Sequence, residues 1–196
     1  MLRRRGETWE DQGLPWWGAL DRRTWKAWAG GALFGVLVCA LVFPAFAVAW
    51  WGYAELSARL PPGLASHIAP YALPVHLEPR LPRGFALLVA TQLAVVALPE
   101  EMFYRGFLQT GFRRADPGRR WSVLGADLGS GFVRTQLLFA LGHLVTLQPW
   151  RVATFFPGLL FGWVRERTGS LAAPVVVHAL SNLFLATLEA SFLGPR

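Results

Sequence analysis

Residues 27–54 read AWAGGALFGVLVCALVFPAFAVAWWGYA, 28 positions without one charged side chain. A bilayer hydrocarbon core of about 30 Å is crossed by about 20 helical residues, so this stretch is long enough to span with some tilt. Trp28 stands near one end and Trp50 and Trp51 near the other, where amphipathic indoles settle at the headgroup level. The run is too long for the apolar core of a cleavable signal peptide, and acids lie among the residues before it. It reads as an uncleaved first membrane helix.

Composition agrees. Of 196 residues, 54% are hydrophobic and 16% are charged. An ordinary soluble domain carries about 25% charge, which argues against a water-soluble globule, and the apolar content excludes a disordered chain. The net charge is +7, and 18 of the 19 cations are Arg. A nucleic-acid binder of that charge would be less apolar. The single Cys39 cannot form an internal disulfide and leaves the redox compartment open.

Four further runs follow. Residues 84–99 are uncharged and lead into Glu100-Glu101, and residues 152–164 form a short run. Residues 135–150 and 171–188 hold no Asp, Glu, Lys or Arg, and each carries one imidazole, His143 and His178. Each reaches spanning length only with flanking residues or tilt, and such weak segments pack inside a bundle where polar groups find partners. Residues 60–77 are also uncharged but carry Pro61, Pro62, Pro70 and Pro74; one Pro in a helix interior costs about 3 kcal/mol. Residues 55–83 therefore read as a Pro-rich loop or re-entrant segment, with His67 and His76 as ordinary loop residues. The expected architecture is all-α, a polytopic transmembrane bundle of about five spans. Its parts are a basic cytoplasmic segment (1–26), the first membrane helix (27–54), the loop (55–83) and a membrane core (84–190).

Charge sets the expected orientation. Arg3, Arg4, Arg5, Arg22, Arg23 and Lys26 precede the first helix, Arg113, Arg114, Arg119 and Arg120 follow the second, and Arg165 and Arg167 follow the fourth. With five spans and the N-terminus inside, all of these face the cytoplasm, as the positive-inside rule favours. A bacterial inner membrane is the expected location.

Ionisable residues within apolar spans are by default functional, and three groups stand out. In Glu100-Glu101-Met-Phe-Tyr-Arg105, Glu101 and Arg105 sit at i and i+4, acid first, the favourable order for a helical ion pair. Glu100 is left on another face without a local cation, just after Pro99, which removes one helical donor. In Phe139-Ala-Leu-Gly-His143 an imidazole follows an aromatic ring by one turn. In His178-Ala-Leu-Ser-Asn182 an imidazole and a carboxamide share a helix face. At about 1.5 Å per residue, all three groups reach similar depth in the cytoplasmic half. The plainer reading of such side chains is helix–helix hydrogen bonding.

EExxxR, FxxxH and HxxxN on successive apolar helices resemble the CPBP family of intramembrane proteases, the CAAX-protease and bacteriocin-processing or ABI family. The stretch from Pro157 to Leu171 is also similar to the segment before that family's last motif. The resemblance covers about residues 84–190. It implies a glutamate-dependent endopeptidase acting near the C-terminus or membrane segment of a membrane-linked protein or peptide. Glu100 would be the general base that activates water, and His143 would help hold that water. His178 and Asn182 would stabilise the oxyanion, with Glu101, Arg105 and Phe139 supporting the site. It further implies kinship with processors of C-terminal sorting tails or of prenylated peptides. The chain departs from the family in being short before the first motif, so a partner subunit is one way to supply substrate gating. The stretch 112–134 is a long loop, with Asp127 and Arg134 leaving the start of the third helix open.

Other chemistries fit less well. There is no His-Glu-x-x-His, and Asp127 has no second intramembrane Asp to complete an aspartyl dyad. Ser130, in Gly-Ser-Gly, reads as a loop serine near a helix start. No cofactor is expected, although Glu100, His143 and His178 are zinc-ligand types. The expected partners are a membrane-anchored substrate and the bilayer, with no nucleic acid. The alternative function is a non-catalytic membrane scaffold or transport accessory.

Overall fold

A computed structural model describes residue 6 and residues 22–64, 77–116 and 118–193. His67, His76 and most of the basic N-terminal segment lie outside these residues. Five helices organise the described chain: α1 (Arg22–Ala58), α2 (Phe85–Ala115), α3 (Ser130–His143), α4 (Phe155–Thr168) and α5 (Ala172–Leu193). Three stretches are long and apolar enough to cross a membrane, Trp25–Ala58, Phe85–Ala115 and Ala172–Phe192. Helices α3 and α4 have 14 residues each, about 21 Å at 1.5 Å per residue, and so fall short of a bilayer core.

The described part of the Pro-rich stretch is partly helical, because α1 runs on to Ala58 before turning at Arg59–Leu64. Further on, the chain is tied to the far end of α5. The Glu78 N–H donates to the Ser191 carbonyl at 2.7 Å, and the Arg80 N–H donates to Ser191 Oγ at 3.0 Å.

The stretch 112–134 is not an open loop. Helix α2 continues to Ala115, and strands β1 (Trp121–Val123) and β2 (Ala126–Leu128) form an antiparallel hairpin. Leu124 and Gly125 both take positive φ, 47° and 78°, the handedness that a tight two-residue hairpin requires. The two charges that left the third helix start open are used at this end of the molecule. Arg120 Nε donates to Asp127 at 2.5 Å, and Arg134 pairs with Asp116 at 3.1 Å. Ser130 donates to Asp116 Oδ2 at 2.6 Å; with the Gly118 amide and Arg134 it holds the Asp116 carboxyl below the usual carboxylate range.

The third apolar run also differs from expectation. Its helix stops at His143, and the chain continues through 3₁₀ turns at Leu144–Thr146 and Pro149–Thr154, with Leu147 at φ 56°.

Helices successive in sequence alternate in direction, so that α1 and α5 run parallel. The first turns of α1 meet the start of α5 through Gly31 and Ser170, the end of α2 meets the end of α4 through Arg113 and Glu166, and the start of α3 meets Asp116. Lys26, Arg113, Arg114, Arg119, Arg120, Arg134, Arg165 and Arg167 therefore gather at one end, and Arg59, Arg80, Arg83 and Arg151 at the other. This is the segregation that the charge pattern predicts for antiparallel spans.

Helices α1 and α5 are packed along much of their length. Phe43 stacks on Phe184 at 4.3 Å, and Trp50 meets Phe192 at 5.2 Å. Toward the basic end a glycine admits the partner backbone: a Cβ on Gly35 would lie 2.9 Å from the Ala173 carbonyl oxygen. Small residues at such crossings allow the close approach that membrane helices use in place of a hydrophobic driving force. Gly35→Ala is expected to lower the thermal midpoint in detergent by several degrees, since overpacking against backbone costs about 1–3 kcal/mol. Gly52→Ala, where a Cβ meets nothing within 4 Å, should leave the midpoint unchanged or slightly higher; equal midpoints for the two variants would refute the close-packing account.

Candidate active site

Around the paired glutamates, α2 is not a regular α-helix. A short α segment, Leu98–Glu101, is flanked by π turns at Gln92–Ala97 and Met102–Gln109. Pro99 has no N–H to continue the i→i−4 ladder, and the wide turns on both sides accommodate that break. Such π turns are rare and concentrate at functional sites.

Glu101 and Arg105 form the expected i,i+4 pair, Arg105 Nη1 to Glu101 Oε1 at 3.1 Å, and both are fully buried. The structure adds a third member. His178 Nδ1 lies 2.8 Å from the same Glu101 oxygen. A carboxylate only accepts, so the shared proton sits on Nδ1 and Nε2 is left for another partner. This link binds the first motif to the last across two helices distant in sequence.

The Arg105 guanidinium has two further acceptors and two flanking rings, while its Nε is buried without a partner. Nη2 donates to Gln136 Oε1 at 2.8 Å and to the Gly158 carbonyl at 3.0 Å. Its carbon lies 4.3 Å from the centre of the Phe139 ring and 5.3 Å from that of Phe161. Gln136 in turn donates to Gln109 at 3.3 Å, and Gln109 donates to Glu166 at 3.0 Å, where Arg113 completes an ion pair. A continuous polar chain thus runs from His178 to the basic end. Its α2 members, Glu101, Arg105, Gln109 and Arg113, recur every four residues. Four residues of α-helix overshoot one turn by about 40°, and the π turn at Met102–Gln109 offsets that drift.

Phe139 is the hub of the aromatic contacts. Its buried ring lies 4.5 Å from the His143 ring, 6.1 Å from the His178 ring and 5.0 Å from Tyr104. The His178 ring stacks on Phe161 at 4.7 Å. His143 is the last residue of α3, and its Nδ1 donates to the Phe139 carbonyl at 2.8 Å, which again leaves Nε2 free of that bond. One helical turn beyond His178, Asn182 Nδ2 donates to Gln92 Oε1 at 2.8 Å.

His143, His178, Asn182 and Phe139 all line one cavity of about 390 Å³, whose other walls are mostly aromatic and aliphatic side chains of α1, α4 and α5. Glu100 is not in that wall. It is half-buried, with Oε2 enclosed and without a hydrogen-bond partner. Tyr104, one turn along the same face of α2, places its hydroxyl against Gly142, the residue before His143. The face of α2 that carries Glu100 is therefore turned toward the end of α3.

Among the described residues no three His, Cys, Asp or Glu side chains are grouped so as to hold a metal ion. Ser130 and Asp127 sit at the basic end, bonded to Asp116 and Arg120, outside the site. Three polar residues of the network escape the motif reading: Gln92, Gln109 and Gln136. The four-residue spacing from Arg105 points to Gln109, and Gln136 is one of two carboxamides, with Gln148, in an uncharged run.

Removing one partner of a buried ion pair leaves an uncompensated charge and costs about 3–5 kcal/mol. Glu101→Gln and Arg105→Met are each expected to reduce the folded yield in detergent several-fold. The double variant Glu101→Gln/Arg105→Met should be better folded than either single one, as read by size-exclusion profile and thermal midpoint. Additive losses in the double variant would contradict the pairing.

The family model for type II CAAX prenyl endopeptidases, Rce1-like, matches residues 82–184, a stretch that includes all three motifs. No curated protein and no solved structure matches the chain. The apolar helices, the segregated cations and this match have one reading: the chain is an integral membrane protein and belongs to the Rce1-like family of CAAX-type intramembrane proteases.

Proposed function

We propose that this protein is a glutamate-dependent endopeptidase that cleaves near the C-terminus of a membrane-linked protein or peptide, with Glu100 as the general base. The observation that carries this reading is the apolar cavity whose wall unites His143, His178 and Asn182, with Glu100 on the face of α2 that is turned toward the end of α3. Amide hydrolysis needs a base within reach of a water and donors directed at the developing oxyanion. In the proposed reaction His143 holds the water through Nε2 and Glu100 takes its proton as the oxygen attacks the scissile carbonyl carbon. The oxyanion is stabilised by the Asn182 amide and by His178 acting as an imidazolium, which donates to it from Nε2 while its Nδ1–H is held by Glu101. When the intermediate collapses, the C–N bond breaks and the proton on Glu100 passes to the departing amine. No cofactor takes part in these steps.

The apolar walls suit a substrate that arrives with a lipid or a hydrophobic tail. We favour a prenylated C-terminal Cys-aliphatic-aliphatic-X tail, the substrate class in the family's description, with a C-terminal sorting tail as the competing class. On the positive-inside rule we propose that the basic end, and with it the N-terminus, faces the cytoplasm, and we propose a bacterial inner membrane as the location.

The reading makes three measurements decisive. In bicelles, the wild-type protein should cleave an internally quenched prenylated CAAX peptide, whereas Glu100→Gln should keep its thermal midpoint and lose at least about 10²-fold in turnover. Asn182→Ala should lose about 10²–10³-fold in kcat. Full turnover in both variants would leave the polar residues as helix-to-helix links and favour a scaffold. If the wild type ignores the prenylated probe, the substrate class is wrong; comparing membrane-protein C-termini between wild-type and Glu100→Ala cells then tests the peptidase reading itself. For orientation, a periplasm-active reporter should be silent after Arg120 and active after Arg196, and the reverse pattern would invert the topology.

A further inference from the structure

Gln92 and Glu101 are nine residues apart on α2. On a regular α-helix nine residues place two side chains about 180° apart, so both cannot face one neighbour. Yet Gln92 bonds Asn182 and Glu101 bonds His178, two residues one turn apart on α5. The π turn at Gln92–Ala97 lies between them. A π bulge is one residue inserted into an α-helix, and one inserted residue brings the separation to about 80°. The insertion thus rotates Gln92 onto the side of α2 that meets α5. Its consequence is a carboxamide pair, Asn182 Nδ2–H to Gln92 Oε1 at 2.8 Å, next to the cavity that Asn182 lines.

We infer that Gln92 is a positioning residue that fixes which end of the Asn182 carboxamide faces the cavity. The two ends of a carboxamide are opposite in character, Nδ2 with two N–H donors and Oδ1 as an acceptor only. With one Nδ2–H held by Gln92 Oε1, the other remains to meet an oxyanion. Without that anchor the group rotates, and in the flipped state Oδ1 opposes the oxyanion. The inference rests on the proposed oxyanion role of Asn182 and adds to it the residue that sets its polarity. A residue holding donors in place acts on the transition state and leaves substrate binding alone, so it alters kcat and not KM.

Asn182 is the only asparagine in the chain. Labelling with ¹⁵N-asparagine therefore gives one side-chain NH₂ signal, readable without any substrate. In Gln92→Met, which keeps the length and removes the acceptor, that signal is expected to shift and its protons to exchange faster with water. Gln92→Glu, which retains an acceptor in either protonation state, should keep the anchored signal. With the prenylated CAAX peptide as probe, Gln92→Met should lose about tenfold in kcat at unchanged KM, and Gln92→Glu should recover most of it. In an Asn182→Ala background, Gln92→Met should have no further effect, because the residue it positions is gone. The inference is overturned if Gln92→Met leaves the NH₂ signal unchanged. It is also overturned if the signal shifts with no change in kcat, or if the losses in the double variant multiply. Should Asn182→Ala itself keep full turnover, the oxyanion role fails and this inference with it. A shifted signal and a kcat loss confined to chains that retain Asn182 supports it.

Discussion

A guanidinium with no solvent exposure, held at depth among apolar helices, is the constraint on which the site depends. A cation in hydrocarbon is tolerated only where partners replace its water, and Arg105 draws them from three helices. Glu101 comes from its own helix, Gln136 from α3 and the Gly158 carbonyl from α4, with the Phe139 and Phe161 rings within cation–π range. A buried pair of this kind adds little to net stability, because desolvation offsets most of the attraction. Its effect is geometric: any shift of α3 or α4 leaves a charge unsatisfied, so the pair fixes where the helices carrying Phe139 and His143 can sit.

The glycines of α4 follow from the same requirement. A Cβ on Gly158 would lie 2.9 Å from the Phe139 ring and 3.0 Å from Gln136 Oε1, and one on Gly162 would strike Gln136 Nε2. Only a side-chain-free surface lets the α4 carbonyls come within reach of Arg105 and Gln109, at 3.0 and 3.1 Å. Pro157-Gly-Leu-Leu-Phe-Gly162 is thus a small-residue face that receives polar side chains rather than another helix backbone.

What the sequence made legible was the set of features that repeat every helical turn. The Glu101–Arg105 pair, Phe139 with His143, and His178 with Asn182 each rely on i,i+4 neighbours, and each spacing is realised. The opposed ends of the bundle were legible in the arginines. Less accessible was whatever depends on a departure from the regular helix. The π turns of α2 have no periodic signature, so the phase that joins Gln92 to Asn182 cannot be obtained by counting residues. The 121–128 hairpin is too short for alternation to reveal, and its turn is Leu-Gly in place of the usual Asn-Gly or Asp-Gly. The shared acceptor Glu101 Oε1 is a tertiary fact, because His178 is 77 positions away.

The early end of α3 is the remaining departure, and it relates the fold to the cavity. Composition alone would carry that helix to Trp150, since residues 135–150 hold no Asp, Glu, Lys or Arg. Stopping at His143 puts the imidazole at a helix terminus and leaves two 14-residue helices beside three long ones. Non-helical backbone within a membrane is tolerated only where protein buries it or a cavity takes it up. The 3₁₀ turns after His143 lead to Thr154, which lines the same cavity as His143, His178 and Asn182. Full-length α3 and α4 would continue their packing into that space. Truncating both helices opens a chamber at the level of the motifs, and the Arg105 network keeps their remaining halves from closing it.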